Sequence, residues 1–159
     1  MIYFADCGQD TVKKLTTTTS LSYVKTGLKN HTTYKFRVDA QRKIGGKWVT
    51  ISTGYMGHFV AGDLTTSGTY TNVKTVSVKN AAVTIKKGKT SKITPSATLV
   101  KSGKTALNHV SKYRYISTNT AVATVSSNGT ITAKAAGTCS IYVLAGNGVW
   151  KEVKVTVTK

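Results

Sequence analysis

The sequence predicts an all-β protein built from antiparallel sandwich or barrel units, and three observations carry that prediction. Apolar residues recur at every second position in several segments, the period of a strand with one buried face, while no segment offers a 3.6-residue stripe. Turn signals rich in Gly and Asn interrupt these segments at short intervals, as they do in sandwiches. Thr, Val, Ser and Gly crowd a chain of 159 residues that is 40% hydrophobic, a composition that favours strands over helices. That length allows one ordinary domain or two small ones.

The elements follow in order. Tyr34-Lys35-Phe36-Arg37-Val38-Asp39-Ala40 places Tyr, Phe, Val and Ala on one side and Lys, Arg and Asp on the other, a half-buried strand. Lys43-Ile44-Gly45-Gly46-Lys47 is a turn. Residues 62–72 are small, polar and aperiodic, and they divide the chain into domains at 1–62 and 73–159 with a linker over 63–72. Val73-Lys74-Thr75-Val76-Ser77-Val78 alternates less strictly. Turn signals then fall at Lys87-Gly88-Lys89, Ser102-Gly103-Lys104, Ser127-Asn128-Gly129-Thr130 and Gly146-Asn147-Gly148. Asn128-Gly129 is the sharpest of these, because both residues tolerate the positive φ of a tight hairpin. Trp150-Lys151-Glu152-Val153-Lys154-Val155-Thr156-Val157 closes the series with another alternating strand.

Charge is distributed unevenly. Lys and Arg number 23 against 5 acids, a formal +18 that rules out an acidic calcium cage. Residues 1–70 carry +5 and residues 71–159 carry +13, with a single acid, Glu152, in the latter. No stretch reaches the roughly 18 apolar residues of a membrane-spanning helix, so membrane insertion is not expected. Met1-Ile2-Tyr3-Phe4-Ala5-Asp6-Cys7 lacks the basic start and apolar run of a signal peptide. A role outside the cell therefore implies a mature segment, a fragment of a longer exported chain, or release by another route.

The run Tyr113-Arg114-Tyr115-Ile116-Ser117-Thr118-Asn119-Thr120-Ala121-Val122-Ala123-Thr124-Val125-Ser126-Ser127-Asn128-Gly129-Thr130-Ile131, followed by Gly137-Thr138, resembles the bacterial Ig-like domain, group 2. That family's pattern passes from an aromatic residue through a Ser-rich turn, Val-Ala-Thr-Val and Asn-Gly-Thr-Val to a Gly-Thr that opens the next strand. The resemblance covers about residues 73–158. Tyr115 stands where the family usually has a core Trp, and its hydroxyl needs a partner. Independently of the name, Val122, Val125, Ile131, Ile141, Val143, Val153, Val155 and Val157 supply alternating inward side chains for two facing sheets.

Upstream, residues 22–40 resemble the fibronectin type III domain, in which a Leu before a turn precedes a Tyr whose hydroxyl ties the corner to the backbone. Leu28 and Tyr34 occupy those positions. The resemblance makes residues 2–7 the third strand of such a sandwich. It thus implies an incomplete first domain with an apolar sheet face and an open edge, completed by an upstream domain or a neighbouring subunit. Together the two resemblances imply tandem Ig-like and fibronectin-like β-sandwiches, the first truncated at its N-terminal side.

No catalytic, cofactor or metal site is expected. His31, His58 and His109 are dispersed, and Asp6, Asp10, Asp39, Asp63 and Glu152 form no acid/base pair. Cys7 and Cys139 have neither a second Cys nor a His at ligand spacing and read as inert, with Cys139 a small buried hydrophobe. Tyr34, Phe36 and Trp150 read as core or near-core, while Tyr3, Trp48 and Tyr55 are less constrained and suited to stacking on a sugar.

The lysines are the exception. Lys86, Lys87, Lys89 and Lys92, with Lys101 and Lys104, concentrate positive charge in two loops that suit an anionic polymer. Gly88-Lys89-Thr90 lacks the upstream Gly of a phosphate loop, and no nucleic-acid module appears, so no specific nucleic-acid partner is expected. The resemblances imply an extracellular bacterial surface module for adhesion, display or spacing, whose partner is a protein or an anionic cell-wall or host polysaccharide. Two alternatives remain: a virion appendage, which needs no export signal, and accessory domains of a larger secreted enzyme.

Overall fold

A computed structural model of the chain describes residues 1–62, 64, 68–108 and 111–159, which form sixteen strands and no α-helix. Among them there is no helix long and apolar enough to cross a membrane. The chain divides into two compact units, Met1–Thr66 and Ser67–Lys159. The expected linker over 63–72 lies partly outside the described residues. Its end is not connecting chain: Tyr70–Thr71 forms a short strand of the second unit, with Thr71 only 2% exposed.

The first unit is one antiparallel sheet of β1 (Ile2–Asp6), β2 (Lys13–Thr16), β3 (Thr33–Ile44), β4 (Lys47–Thr53) and β5 (Gly57–Val60). The strands run in the order β2-β1-β3-β4, and β3 is long enough to pair β5 with its first residues and β4 with its last. Gly45 and Gly46, at φ 55° and 79°, join β3 to β4, so the two-residue turn with both φ positive sits here.

Alternation along β3 separates its side chains as expected. Phe4 pairs with Phe36 and Phe59 with Tyr34, and the four rings gather at centroid separations of 5.3 to 6.4 Å. The Tyr34 hydroxyl accepts a hydrogen bond from the Lys29 backbone N–H at 2.9 Å, fastening the chain just after Leu28.

Burial departs from the expectation in this strand. Phe36, read as core or near-core, is 38% exposed and Val38 is 52% exposed, whereas Lys35 and Asp39 on the opposite side are buried. The reason is cover. Arg37 donates to both Asp39 carboxylate oxygens, at 2.9 and 3.0 Å, and the Lys35 ammonium donates to the Gln9 carbonyl, so the polar side is sealed by its own pairing. On the apolar side residues 17–28 pass without strand pairing. They leave a groove of about 630 Å³ lined by Phe4, Leu15, Tyr23, Phe36, Val38 and Phe59.

The second unit comprises β6 (Tyr70–Thr71), β7 (Val73–Val78), β8 (Ala82–Lys86), β9 (Thr90–Lys92), β10 (Pro95–Leu99), β11 (Thr105–Ala106), β12 (Tyr113–Ser117), β13 (Ala123–Val125), β14 (Thr130–Ala133), β15 (Gly137–Ala145) and β16 (Trp150–Thr158). Strands β12-β15-β16-β8 form one sheet and β13-β14-β9 another, with β7 and β10 paired beside them. Most pairings are antiparallel. Strand β8 is parallel to β16, because the chain leaves β10's partner β7 and crosses at residues 79–81 to the edge of the other sheet.

Ile131, Ile141, Val143, Val153, Val155 and Val157, from strands of both sheets, are at most 3% exposed and form one core with Val122, Ala123 and Ile85. Fully burying each such side chain contributes about 1.5 to 3 kcal/mol before entropy is counted. Trp150, read as core or near-core, is instead 55% exposed. It lies in phase with Glu152 and Lys154 rather than with Val153, Val155 and Val157, and its ring meets the Tyr142 ring edge-on, at 5.0 Å.

Candidate functional site

The β8–β9 turn projects from one end of the second sandwich. Lys86 ends β8 opposite Thr158, the Lys87 N–H donates to the Thr158 carbonyl at 2.9 Å, and the Gly88 N–H donates to the Ala133 carbonyl at 2.9 Å. The Ala133 N–H in turn donates to the Lys89 carbonyl at 3.0 Å. These bonds hold the turn between the ends of β14 and β16, so Lys134 and Lys159 join Lys86, Lys87 and Lys89 at one pole. All five are exposed. Glu152, the one acid of residues 71–159, lies in mid-sheet, opposite Tyr142, and accepts a hydrogen bond from Ser140 at 2.5 Å. No Asp or Glu side chain of residues 71–159 lies at this pole.

The other expected lysines lie elsewhere. Lys101 and Lys104 follow β10, whose Leu99 pairs with Val73, and the Val73 carbonyl accepts from Asn147 in the turn before β16, at the end of that strand away from Thr158. Lys104 donates to the Gly68 carbonyl, and Lys92 donates to the Asn128 carbonyl. The structure thus splits the expected six into Lys86, Lys87 and Lys89 at one pole, Lys101 and Lys104 at the opposite end, and Lys92 between them. Lys134 and Lys159 were missed because the strand pairings that bring them in span many residues. The only local signal is that each ends an alternating run.

The Asn128-Gly129 turn has a different geometry from the one expected. Only Gly129 has positive φ, 82°, and Asn128 does not. Val125 pairs with Ile131, and Ser126 and Thr130 bond through their backbones, which leaves a three-residue loop ending in a left-handed glycine. Asn128 acts through its side chain, whose Oδ1 accepts from Ser126 Oγ at 2.6 Å and from Thr130 Oγ1 at 2.9 Å. Tyr115 lies over Gly129: a Cβ built there would stand 2.8 Å from the Tyr115 Cζ and hydroxyl. Burial raises the pKa of the Tyr113 and Tyr115 phenols, and Tyr113 raises that of Tyr115 further.

The remaining candidates are scattered. His31 sits in a turn at φ 58°, with its N–H donating to the Ala61 carbonyl at 2.8 Å, and His109 lies outside the described residues. Trp48 and Tyr55 are exposed, whereas Tyr3 is covered by the Arg37 guanidinium at 4.4 Å. No three His, Cys, Asp and Glu side chains among the described residues are placed to hold a metal ion. Sequence distance concealed one pairing: Cys7 and His58 are brought together, with Sγ 3.1 Å from Nδ1.

The two facing sheets of the second unit coincide with a known module. Residues 72–157 match the family model of the bacterial Ig-like domain (group 2). The chain belongs to the bacterial Ig-like domain (group 2) family. In this Ig-like unit the matched span takes in β7 and all of β16 but its last residue, and Lys86, Lys87, Lys89 and Lys134 of the pole lie within it. Among solved structures, a crystal structure of domains 4 and 5 of the S-layer protein SbsC is similar, at 17% identity and a TM-score of 0.46. The likeness covers 80% of this chain and 65% of that one, so the chain spans just under two thirds of that structure. No curated protein matches the chain.

Proposed function

We propose that this chain is a non-catalytic module of an exported bacterial surface protein, and that its Ig-like unit adheres to anionic polymers through the pole formed by Lys86, Lys87, Lys89, Lys134 and Lys159. Family membership supports the surface setting. The observation that carries the adhesive reading is the gathering of five exposed ammonium groups from three separate segments, with the only acid of residues 71–159 held in mid-sheet. Such a pole attracts a phosphate, sulfate or carboxylate polymer and releases its condensed counterions on contact.

The test is binding of heparin and of wall teichoic acid to the whole chain across a salt series. Five contacts on a single-stranded polyanion give a log–log salt slope of about −3.5, a loss of roughly a hundredfold between 50 and 200 mM salt. Replacing the five lysines by Gln is expected to abolish this binding, whereas Lys101→Gln with Lys104→Gln leaves it near the parent value. Absence of binding at low salt, or equal binding by the five-fold variant, overturns the adhesive reading.

A second reading concerns the first unit. The groove over Phe36 and Val38 supports completion of a fibronectin-type sandwich by strands of an upstream domain. Completion by a neighbouring subunit instead predicts a stable dimer in size-exclusion chromatography with light scattering, and a monomer argues against it.

A further inference from the structure

Cys7 and His58 are 51 residues apart and meet through the first unit's sheet. Cys7 follows β1, and its backbone N–H donates to the Thr33 carbonyl at 3.0 Å, which keeps it alongside the start of β3. His58 lies in β5, on the other side of β3, directly opposite Lys35 in register. The thiol and the imidazole thus reach toward each other across β3 and stand 3.1 Å apart, both half-buried. Lys35 shares this side of the sheet and is only 8% exposed, and its ammonium donates to the Gln9 carbonyl.

A thiol becomes nucleophilic as the thiolate, and an imidazole within hydrogen-bond reach is the group that takes its proton. The chain supplies its own contrast. Cys139 lies on β15 opposite Val155 and packs against the apolar core of the second unit.

We infer that Cys7 is a reactive thiol that exchanges with small disulfides, with His58 as its proton partner. The Cys7 thiolate attacks one sulfur of a low-molecular-weight disulfide, and a new S–S bond forms to that sulfur as the old one breaks. The departing thiolate takes the proton held by the His58 imidazolium and leaves as a free thiol. Cys7 is oxidised to a mixed disulfide and one half of the small disulfide is reduced, so atoms and electrons balance without another reactant. This site is separate from the lysine pole and stands whether or not that pole binds polymer.

The whole chain is treated with substoichiometric dithiobis(nitrobenzoate), and the label on each cysteine is followed by peptide mass spectrometry. In the folded chain Cys7 is expected to react about tenfold faster than Cys139 or more, and in concentrated urea the two rates converge. His58→Gln and His58→Ala, each confirmed as folded by circular dichroism, are expected to slow Cys7 about tenfold and to leave Cys139 unchanged. A folded-state Cys7 rate no faster than that of Cys139 overturns the inference without recourse to a variant. A Cys7 rate unchanged in both His58 variants removes His58 from the role.

Discussion

Gly129→Ala tests the hairpin and the Tyr115 packing at once. At φ 82° an alanine enters the left-handed region, which costs about 1 to 2 kcal/mol, offset by some 0.4 to 1 kcal/mol from the lower entropy of the unfolded chain. The new Cβ then stands 2.8 Å from the Tyr115 ring, which has to move within a partly buried site, a further strain of about 1 to 3 kcal/mol. The expected total is about 1 to 4.5 kcal/mol. In a Tyr115→Ala background only the backbone part remains, so the same substitution costs about 1 kcal/mol there.

Urea unfolding of the whole chain measures this in a Trp48→Phe background. There, emission comes from Trp150, whose ring contact with Tyr142 breaks when the second unit unfolds. Equal costs in the two backgrounds refute the ring contact as the cause. A cost below about 0.5 kcal/mol in the parent refutes the backbone argument as well.

Further outcomes follow from buried charges and phenols. Arg37→Ala leaves the nearly buried Asp39 carboxylate without its bidentate partner, and denaturation of the first unit, read from Trp48, is expected to show a loss of about 2 to 4 kcal/mol. The lower end applies because the Arg37 side chain is 27% exposed, and adding Asp39→Asn recovers part of the loss. Alkaline pH is expected to destabilise the second unit through Tyr113 and Tyr115. Their folded pKa values lie above the ordinary 10.0, so the unfolded chain ionises first and their contribution, complete below about pH 10, is lost as pH climbs through the folded values. Urea midpoints at pH 8 and pH 11 measure this, and Tyr115→Phe is expected to shrink the difference between them.

The parts of this molecule that were legible in its sequence are those that depend on parity. Val153, Val155 and Val157 share a side of β16 because a strand's side chains alternate, and no knowledge of partners is needed to say so. The same rule placed Trp150 outside, in phase with Lys154, and reading it as core or near-core gave hydrophobicity precedence over phase. The Asn128 conformation depends on register instead: Ser126 pairs with Thr130, so the loop has three residues and only its last is left-handed. The Cys7–His58 contact and the five-lysine pole depend on which strands lie side by side, and no local pattern encodes that.

Val38 and Val155 show where local reading ends. Both stand in runs that alternate with charged or polar residues, and both fall on the apolar side of a long antiparallel strand. Val155 is 1% exposed and Val38 is 52% exposed. Alternation states which side chains share a face, while burial requires a second layer against that face, and that layer comes from distant strands. In the second unit β14 and its neighbours supply it. In the first unit residues 17–28 reach the face without pairing, which is why its apolar side lies open although the strand over Tyr34–Ala40 alternates as the sequence predicts.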